Sequence, residues 1–396
     1  MVENCAVTTR VRIAGGIAEI AAADWDRCAN PPERPHDPFV SHAFLAALEA
    51  AGTVDRRTGW VPQHLALEQD GCITAVMPLY VKGHSKGEYI FDYGWAEAYE
   101  RAGGAYYPKL QCAVPFTPVP GRRLLVQPGE GAAERERMLL AGAIEVAKRA
   151  GMSSLHITFL TEGEWTRAGE AGLLQRTDKQ FHWANQGYAS FDDFLATLAS
   201  RKRKAIRKER AQAVESGLVV ERITGAAITE AHWDAFFEFY MDTGNRKWGR
   251  PYLNRESFSC LGATMADRCL LIMARNGERY VAGALNLIGG DCLYGRYWGA
   301  TEPAPFLHFE ICYYQAIEYA IEHGLARVEA GAQGEHKLAR GYLPVPTYSA
   351  HWIADAGFRK AVSRYLDDER RYMEREREAL AEYGPYKRLS ADDVAE

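Results

Sequence analysis

Two stretches of the chain share one rhythm of apolar and polar positions. LALEQDGCITAVMPLYVKGHSKGEYIFDYGWA, from Leu65, is a short apolar run, a Gly turn at Gly71 and a longer apolar run. A second Gly-containing turn and a Tyr/Trp-rich run follow. LIMARNGERYVAGALNLIGGDCLYGRYWGA, from Leu271, repeats that order with its first turn at Gly277. Apolar runs cut by Gly turns predict consecutive antiparallel hairpins. The flanks match as well. RMLLAGAIEVAKRAGMSSLHITF and ICYYQAIEYAIEHGLARVEAGA each predict an apolar helix stopped by Gly (Gly151, Gly324) and then a short strand. Upstream, PFVSHAFLAAL parallels PYLNRESFSCL, with Ser41 and Asn254 as helix N-caps.

Matching positions are offset by 204 to 213 residues up to the hairpins but by 173 at the two helix-stopping glycines. The first copy therefore carries an insertion near residues 101–131, rich in Gly, Pro and aromatics. The reading is α+β, with two copies of one unit over 1–186 and 187–360. Residues 361–396 follow as a charged C-terminal helix. Its apolar positions Val362, Tyr365, Leu366, Tyr372 and Met373 form a narrow stripe, and its Arg/Glu mix suggests i,i+4 ion pairs. That helix packs on its own domain or forms an oligomer contact.

The polar pattern is broken most sharply at SRKRKAIRKERAQA. Seven of the ten residues from Arg201 to Arg210 are Lys or Arg, in a chain whose formal net charge is −5. Ser190 to Asp193 reads as a capping box that starts a helix, and Gly217 stops it or a second helix resuming at Ser200. Like charges four apart repel by a few tenths of a kcal/mol per pair, roughly one kcal/mol over the run. Either the run is a solvated face or it meets phosphates, through Arg203, Lys204 and Arg207.

EAGAQGEHKLARGYLPVP, from Glu329, ends a short apolar strand and packs Gly, Gln, Glu, His, Lys, Arg and Tyr into one loop. Loops of that variety on a rigid strand end are common functional positions. Glu329, Glu335 and His336 are candidates to take a proton, and Lys337 to stabilise an oxyanion. GNRKWGRPYL sets Arg246 and Lys247 beside Trp248, charge next to an aromatic platform, and FHWANQGY carries His182 and Trp183 as site or core.

Composition narrows the classes. Hydrophobic residues are 47% and charged residues 25%, ordinary for a globular protein. A pI of about 6.2 argues against a dedicated DNA binder. No apolar run suggests a membrane span, and no leader pattern is evident at the N-terminus, so a cytoplasmic protein is expected. The eight cysteines form no Cys-x-x-Cys pair, and no His-Glu-x-x-His, Walker or dinucleotide pattern occurs. No metal and no tightly bound cofactor is expected. GHSKG, Gly83 to Gly87, fits the hydrolase G-x-S-x-G pattern, but EYIFDYGW after it reads as a strand where that elbow needs a helix. Ser85 is therefore read as part of a hairpin turn.

Taken together, NPPERPHDPFVSHAFLAALE, GEYIFDYGWAEAYERAGGAYYPKLQCAVPFTPV, QFHW, SRKRKAIRKER, TGNRKWGRPYLNRESF, VAGALNLIGGDCLYGRYWGA and EAGAQGEHKLARGYLPVPTYSAHW resemble the FemAB-like, tandem-GNAT proteins, the group of N-acyltransferases tied to peptidoglycan biosynthesis. The resemblance implies two GNAT-like units, each a mixed, largely antiparallel sheet flanked by helices. It implies a basic helix of the Arg-x-x-Ile-Arg-Lys kind, here Arg203, Ile206, Arg207 and Lys208. A Lys followed by Gly after the last core strand is similar to Lys337 and Gly341, with Arg340 in place of the usual Phe. Arg246, Lys247, Trp248, Arg296, Tyr297, Trp298 and Arg340 are further candidates to bind phosphate or substrate. The expected activity is transfer of an acyl or aminoacyl group from a CoA thioester or an aminoacyl-tRNA to an amine on a small molecule or peptide. The pyrophosphate loop of acetyl-CoA users is not evident in either unit. The alternative is a non-catalytic GNAT pair that binds a phosphate-bearing or cell-wall ligand.

Overall fold

The computed structural model describes residues 8–215, 217–247, 251–331 and 334–387; the side chains of 245–247 lie outside that description. In chain order the elements are β1 (Thr9–Ala14), α1 (Ala22–Ala29), α2 (His42–Ala50), β2 (Trp60–Pro62), β3 (His64–Gln69), β4 (Cys72–Met77), β5 (Leu79–Lys82), α3 (Tyr93–Arg101), β6 (Lys109–Cys112), β7 (Leu125–Val126), α4 (Ala132–Arg149), β8 (Ser154–Leu160), α5 (Glu162–Glu170) and β9 (Leu174–Ala184). Then come α6 (Phe191–Thr197), α7 (Ser200–Val214), β10 (Val219–Thr224), α8 (Glu230–Lys247), α9 (Arg255–Met265), β11 (Cys269–Asn276), β12 (Arg279–Ile288) and β13 (Cys292–Ala300). The chain finishes with α10 (Leu307–Phe309), a π-helical turn (Glu310–Tyr314), α11 (Gln315–Glu322), β14 (Arg327–Glu329), a 3-10 turn (Glu335–Arg340), β15 (Leu343–Ile353) and α12 (Ala356–Glu382).

The chain divides into two compact units, Met1–Asp178 with Thr347–Met373, and Lys179–Pro346 with Glu374–Glu396. In the first, β1-β3-β4-β7 form one sheet and β15-β8-β6-β5-β2 run as neighbours. Strands β6 and β8 pair in parallel, joined across α4, which buries Leu139, Leu140, Ala143 and Ala147. In the second unit the order is β10-β11-β12-β13-β14-β9. There β13 and β14 pair in parallel, joined across the α10–α11 segment. Antiparallel strands, a helix and a parallel return strand thus occur in both units. The α+β architecture of tandem GNAT-like units with a C-terminal helix is the one expected from the sequence.

The local signals behave as their chemistry requires. Gly71 and Gly277 turn the β3–β4 and β11–β12 hairpins at φ 82° and 58°, and Gly151 and Gly324 end their helices at φ 64°. Those angles favour a residue without Cβ. Ser41 accepts from the Phe44 amide and Asn254 from the Ser257 amide, both as N-caps. Ser190 accepts from the Asp193 amide, α6 ends at Thr197, and a separate α7 starts at Ser200.

Two expectations are corrected. EYIFDYGW is not a strand: it is a loop running into α3. Its aromatic content suits a strand, but Trp95 and Ala96 bury with Tyr106, Ile353, Val362 and Leu366, a contact only the helix supplies. The ion pairs within α12 are spaced three apart, not four: Arg370 with Asp367, Arg371 with Asp368 and Arg377 with Glu374. Of its apolar stripe, Val362 and Leu366 are buried, whereas Tyr365 and Tyr372 are exposed.

Candidate functional site

The second unit contains a fork in its sheet. β13 pairs with β14 only over Cys292–Tyr294 and Arg327–Glu329. Beyond Tyr294, β13 keeps its β12 partner as far as Ala300, while among the described residues none continues the pairing on the β14 side. The β12 register also steps, from Leu285–Tyr297 to Asn286–Gly295, leaving Arg296 as an extra residue on β13. Such a bulge twists a strand and frees backbone groups, and bulges are frequent beside active sites. Gly295 sits at the fork. A Cβ there would lie 3.4 Å from both Asn286 Oδ1 and the Glu329 carbonyl oxygen.

Glu329 is the last residue of β14 and is buried. Its Oε1 accepts from Arg327 Nε at 3.1 Å. Its Oε2 is buried without a hydrogen-bond partner, and His182, its cross-strand neighbour on β9, stands 3.8 Å away. Burial pushes the His182 imidazole below its ordinary pKa, which disfavours a charged partner for the carboxylate on that side. Asn286 Oδ1 is a second buried acceptor without a partner. By register Glu329 shares its face of the sheet with Tyr294 and Leu287, whereas Asn286 lies on the other face. Each unmet acceptor calls for a donor, because a buried orphan acceptor costs about 1–3 kcal/mol.

The turn after β14 supplies a cation. Lys337 is buried, and its Nζ donates to the Gly331 carbonyl at 2.8 Å. With no carboxylate hydrogen-bonded to it, burial pulls its pKa down to about 8. Glu335 and His336 are exposed. His336 Nε2 shares a hydrogen bond of 2.8 Å with the Tyr313 hydroxyl, and its ring belongs to an aromatic wall with His308, Phe309 and Tyr313. That wall is carried by α10 and the π-helical turn, a geometry often found at functional sites. Phe306, which caps α10, has φ 59°, a left-handed conformation rare for a bulky residue.

Of the three candidates on β13, Trp298 packs against His308 with ring centroids 5.2 Å apart. Both line a cavity of 340 Å³ with Thr243, Glu302, Pro303 and Leu307. Tyr297 meets Tyr240 edge-on at 5.1 Å, and the Arg296 guanidinium lies 5.2 Å from the Tyr297 ring. Trp248 lies outside the described residues, as do the side chains of Arg246 and Lys247.

Helix α7 packs against α10, the π-helical turn and the 3-10 turn of the same unit. It buries Ile206 and Ala213. Glu209, the one acid in the basic run, accepts from Arg340 at 2.8 Å and from the Tyr314 hydroxyl. Arg340 also donates to the His336 carbonyl and lies 3.4 Å from the centre of the Phe309 ring. Its guanidinium is thus engaged in fastening the turn to α7. Arg210 forks onto Glu310 and Glu318, and Arg207 pairs with Asp192 at the surface. Among the described residues, none offers a side-chain partner to Arg201, Lys202, Arg203, Lys204 or Lys208. Of these, Arg203 and Lys202 are half-buried and the other three exposed.

The first unit holds a buried polar cluster that sequence reasoning passed over. Lys109 Nζ donates to Ser85 at 2.8 Å, Glu88 at 2.7 Å and Asp92 at 2.5 Å. Tyr106 joins Asp92 to His156, and His156 bonds His351. Beside it, burial lowers Lys82 and raises Glu88, each to about 7. The facing carboxylates raise Lys109, so its ammonium has no free pair to activate Ser85. The Ser85 hydroxyl is a hydrogen-bonding link to Tyr107 rather than a nucleophile. A histidine or lysine within an otherwise apolar strand, as in SLHITFL, YYPKLQC and SAHWI, is the sequence signal that marks this cluster.

A family model matches residues 16–388, that of the FemAB-like proteins, described as peptidoglycan biosynthesis/recognition. The chain belongs to the FemAB-like family. Solved structures agree on the fold. FemX is 14% identical with a TM-score of 0.54, over 87% of this chain and 98% of its own. A conserved protein of unknown function from Bacteroides thetaiotaomicron is 13% identical with a TM-score of 0.51, over 87% of this chain and all of its own. L-PGS from Bacillus licheniformis is 10% identical with a TM-score of 0.50, covering 84% and 98%. No curated protein matches the sequence. In this FemAB-like chain, no helix of the described residues is long and apolar enough to cross a membrane.

Proposed function

We propose that the chain transfers an acyl or aminoacyl group from an activated donor to an amine, with the chemistry at the fork of the second unit. The observation that carries this reading is the unpartnered Oε2 of Glu329, buried where β13 and β14 part. An amine attacking a carbonyl must lose a proton, and a carboxylate within hydrogen-bond reach takes it. In that step the amine nitrogen forms the new bond to the carbonyl carbon and its proton passes to Glu329. The donor's thiolate or ribose hydroxyl departs. Lys337, three residues beyond Gly334 in the following turn, offers positive charge to the developing oxyanion.

Aminoacyl-tRNA suits the chain better than acyl-CoA as donor. The segment before α10 carries Pro303 and Pro305, which lack the backbone N–H groups a pyrophosphate needs, and Phe306 where a permissive glycine would help. Helix α7, by contrast, offers five cations free of acidic partners, a surface for a phosphate backbone. The family description supports a peptidoglycan-related acceptor.

The test supplies a charged tRNA pool or an acyl-CoA set together with an amine-bearing cell-wall peptide and follows the product by mass spectrometry. Wild type should form an amide, and Glu329→Gln should form it about a hundredfold more slowly. Equal rates for the two proteins, or no consumption of either donor class, would refute the reading.

A further inference from the structure

The first unit carries a concavity of 840 Å³ lined by residues from the end of β15, the first turns of α12 and the C-terminal end of α4. Its lining includes four cations, Lys148, Arg359, Lys360 and Arg364, together with Trp352 and Ser363. No Asp or Glu is among the described residues that line it. Lys148, Lys360 and Arg364 are exposed, and among the described residues none gives any of them a hydrogen bond or ion pair through its side chain. That is unusual within this very helix, where Arg370, Arg371 and Arg377 each pair with an acid three residues earlier. Lys360 and Arg364 are four apart, so they share a face and repel. Arg359 is held in place by a hydrogen bond to the Gly172 carbonyl. Trp352 is half-buried and has no stacking partner among the described rings.

Unpaired like charges converging on one concavity are relieved by an anion. Arginine and lysine side chains together suit a phosphate, which accepts several charge-assisted hydrogen bonds at once. The volume falls in the range of small-molecule sites and exceeds what a bare phosphate fills, leaving room for an apolar or flat body beside the indole. We propose that this concavity binds a phosphate-bearing ligand, with the phosphate or pyrophosphate on Lys148, Arg359, Lys360 and Arg364 and the rest of the molecule against Trp352. The proposal stands apart from the transferase reading, since none of these residues belongs to the fork. The phosphate can come from a soluble compound or from a lipid headgroup.

Calorimetric titration with inorganic pyrophosphate tests the first source, and co-sedimentation with phosphatidylcholine vesicles containing phosphatidic acid tests the second. The full chain is compared with Lys148→Gln/Lys360→Gln/Arg364→Gln, with Arg364→Gln alone, and with the control Arg56→Gln/Lys86→Gln/Arg101→Gln, three exposed cations that do not line this concavity. At least one probe should bind wild type and the control alike, more than tenfold less well to the triple variant, and severalfold less well to Arg364→Gln. Which probe binds identifies the source. Unchanged binding to the triple variant would overturn the site, as would no binding of either probe to wild type up to about 10 mM, tenfold above a millimolar Kd.

Discussion

Replacing Lys337 by Met should make the protein more stable and less active. The lysine is buried, and its one hydrogen bond runs to the Gly331 carbonyl at 2.8 Å. Its pKa is pulled from 10.5 to about 8 by desolvation. Each pKa unit is worth about 1.4 kcal/mol, so below pH 8 the charged amine costs the folded state about 3 kcal/mol. Met fills a similar volume, removes that penalty, and forfeits a hydrogen bond worth about 1 kcal/mol. The net at pH 7 is a gain of about 2 kcal/mol. The sign of the pH dependence follows from the direction of the shift. Between pH 8 and 10.5 the folded chain has released a proton that the unfolded chain still holds, so wild-type stability rises through that window relative to the variant. Above it the gain disappears, and the lost hydrogen bond leaves Lys337→Met slightly less stable. Urea unfolding of both proteins at pH 7 and near pH 10.5 measures the difference, in which all other titrations cancel. A difference independent of pH, or a variant less stable at pH 7, would refute the reasoning. The same variant should lose amide formation, because the charge offered to the oxyanion is gone.

Gly295→Ala places a methyl at ordinary contact distance from Asn286 Oδ1 and the Glu329 carbonyl, so urea unfolding should shift by less than about 1 kcal/mol. The methyl fills the fork, however, and transfer should fall at least tenfold; unchanged turnover would separate the fork from the chemistry. Gly299→Ala would bring a Cβ within 1.9 Å of the Phe239 carbonyl oxygen, and α8 must move off β13. A loss of about 3 kcal/mol or a lower melting temperature by several degrees is expected. Arg210→Ala strands Glu310, which is buried and would keep only the Gln315 amide at 2.7 Å; about 3 kcal/mol should be lost in urea unfolding. Arg210→Lys should not restore it, since an ammonium cannot fork onto both carboxylates.

The duplicated hairpins and helices were legible because their signals are local. Gly71, Gly277, Gly151 and Gly324 must adopt positive φ whatever surrounds them, and Ser41 and Asn254 cap with their own side chains. EYIFDYGW was misread because its fate is decided by distant partners, Ile353 and Leu366 among them, against which only helical spacing buries Trp95 and Ala96. The basic run showed its charge but not its pairing. Glu209 reads as a lone opponent of seven cations, yet it anchors Arg340, a residue 131 positions away. Arg340, expected to meet substrate, is engaged by Glu209, His336 and Phe309.

The fork shows why Glu329 was a reasonable candidate in the sequence while Asn286, on the other face of the sheet, was invisible. A carboxylate ending an apolar strand breaks the hydrophobic pattern and draws notice. An asparagine inside AGALNLIGG looks like one polar step in a strand. What distinguishes Asn286 is that its Oδ1 has no partner and faces Gly295, next to the register step that leaves Arg296 extra on β13. Without the step, the positions after it would be displaced by one along β12, and the period-two alternation would turn their side chains to the opposite face. The same step lets β13 diverge from β14 beyond Tyr294. The inserted residue, the half-buried Gly295 and the opening of the sheet thus fall at one place along β13. On the proposed reading the acceptor amine enters where the sheet is open and gives its proton to Glu329.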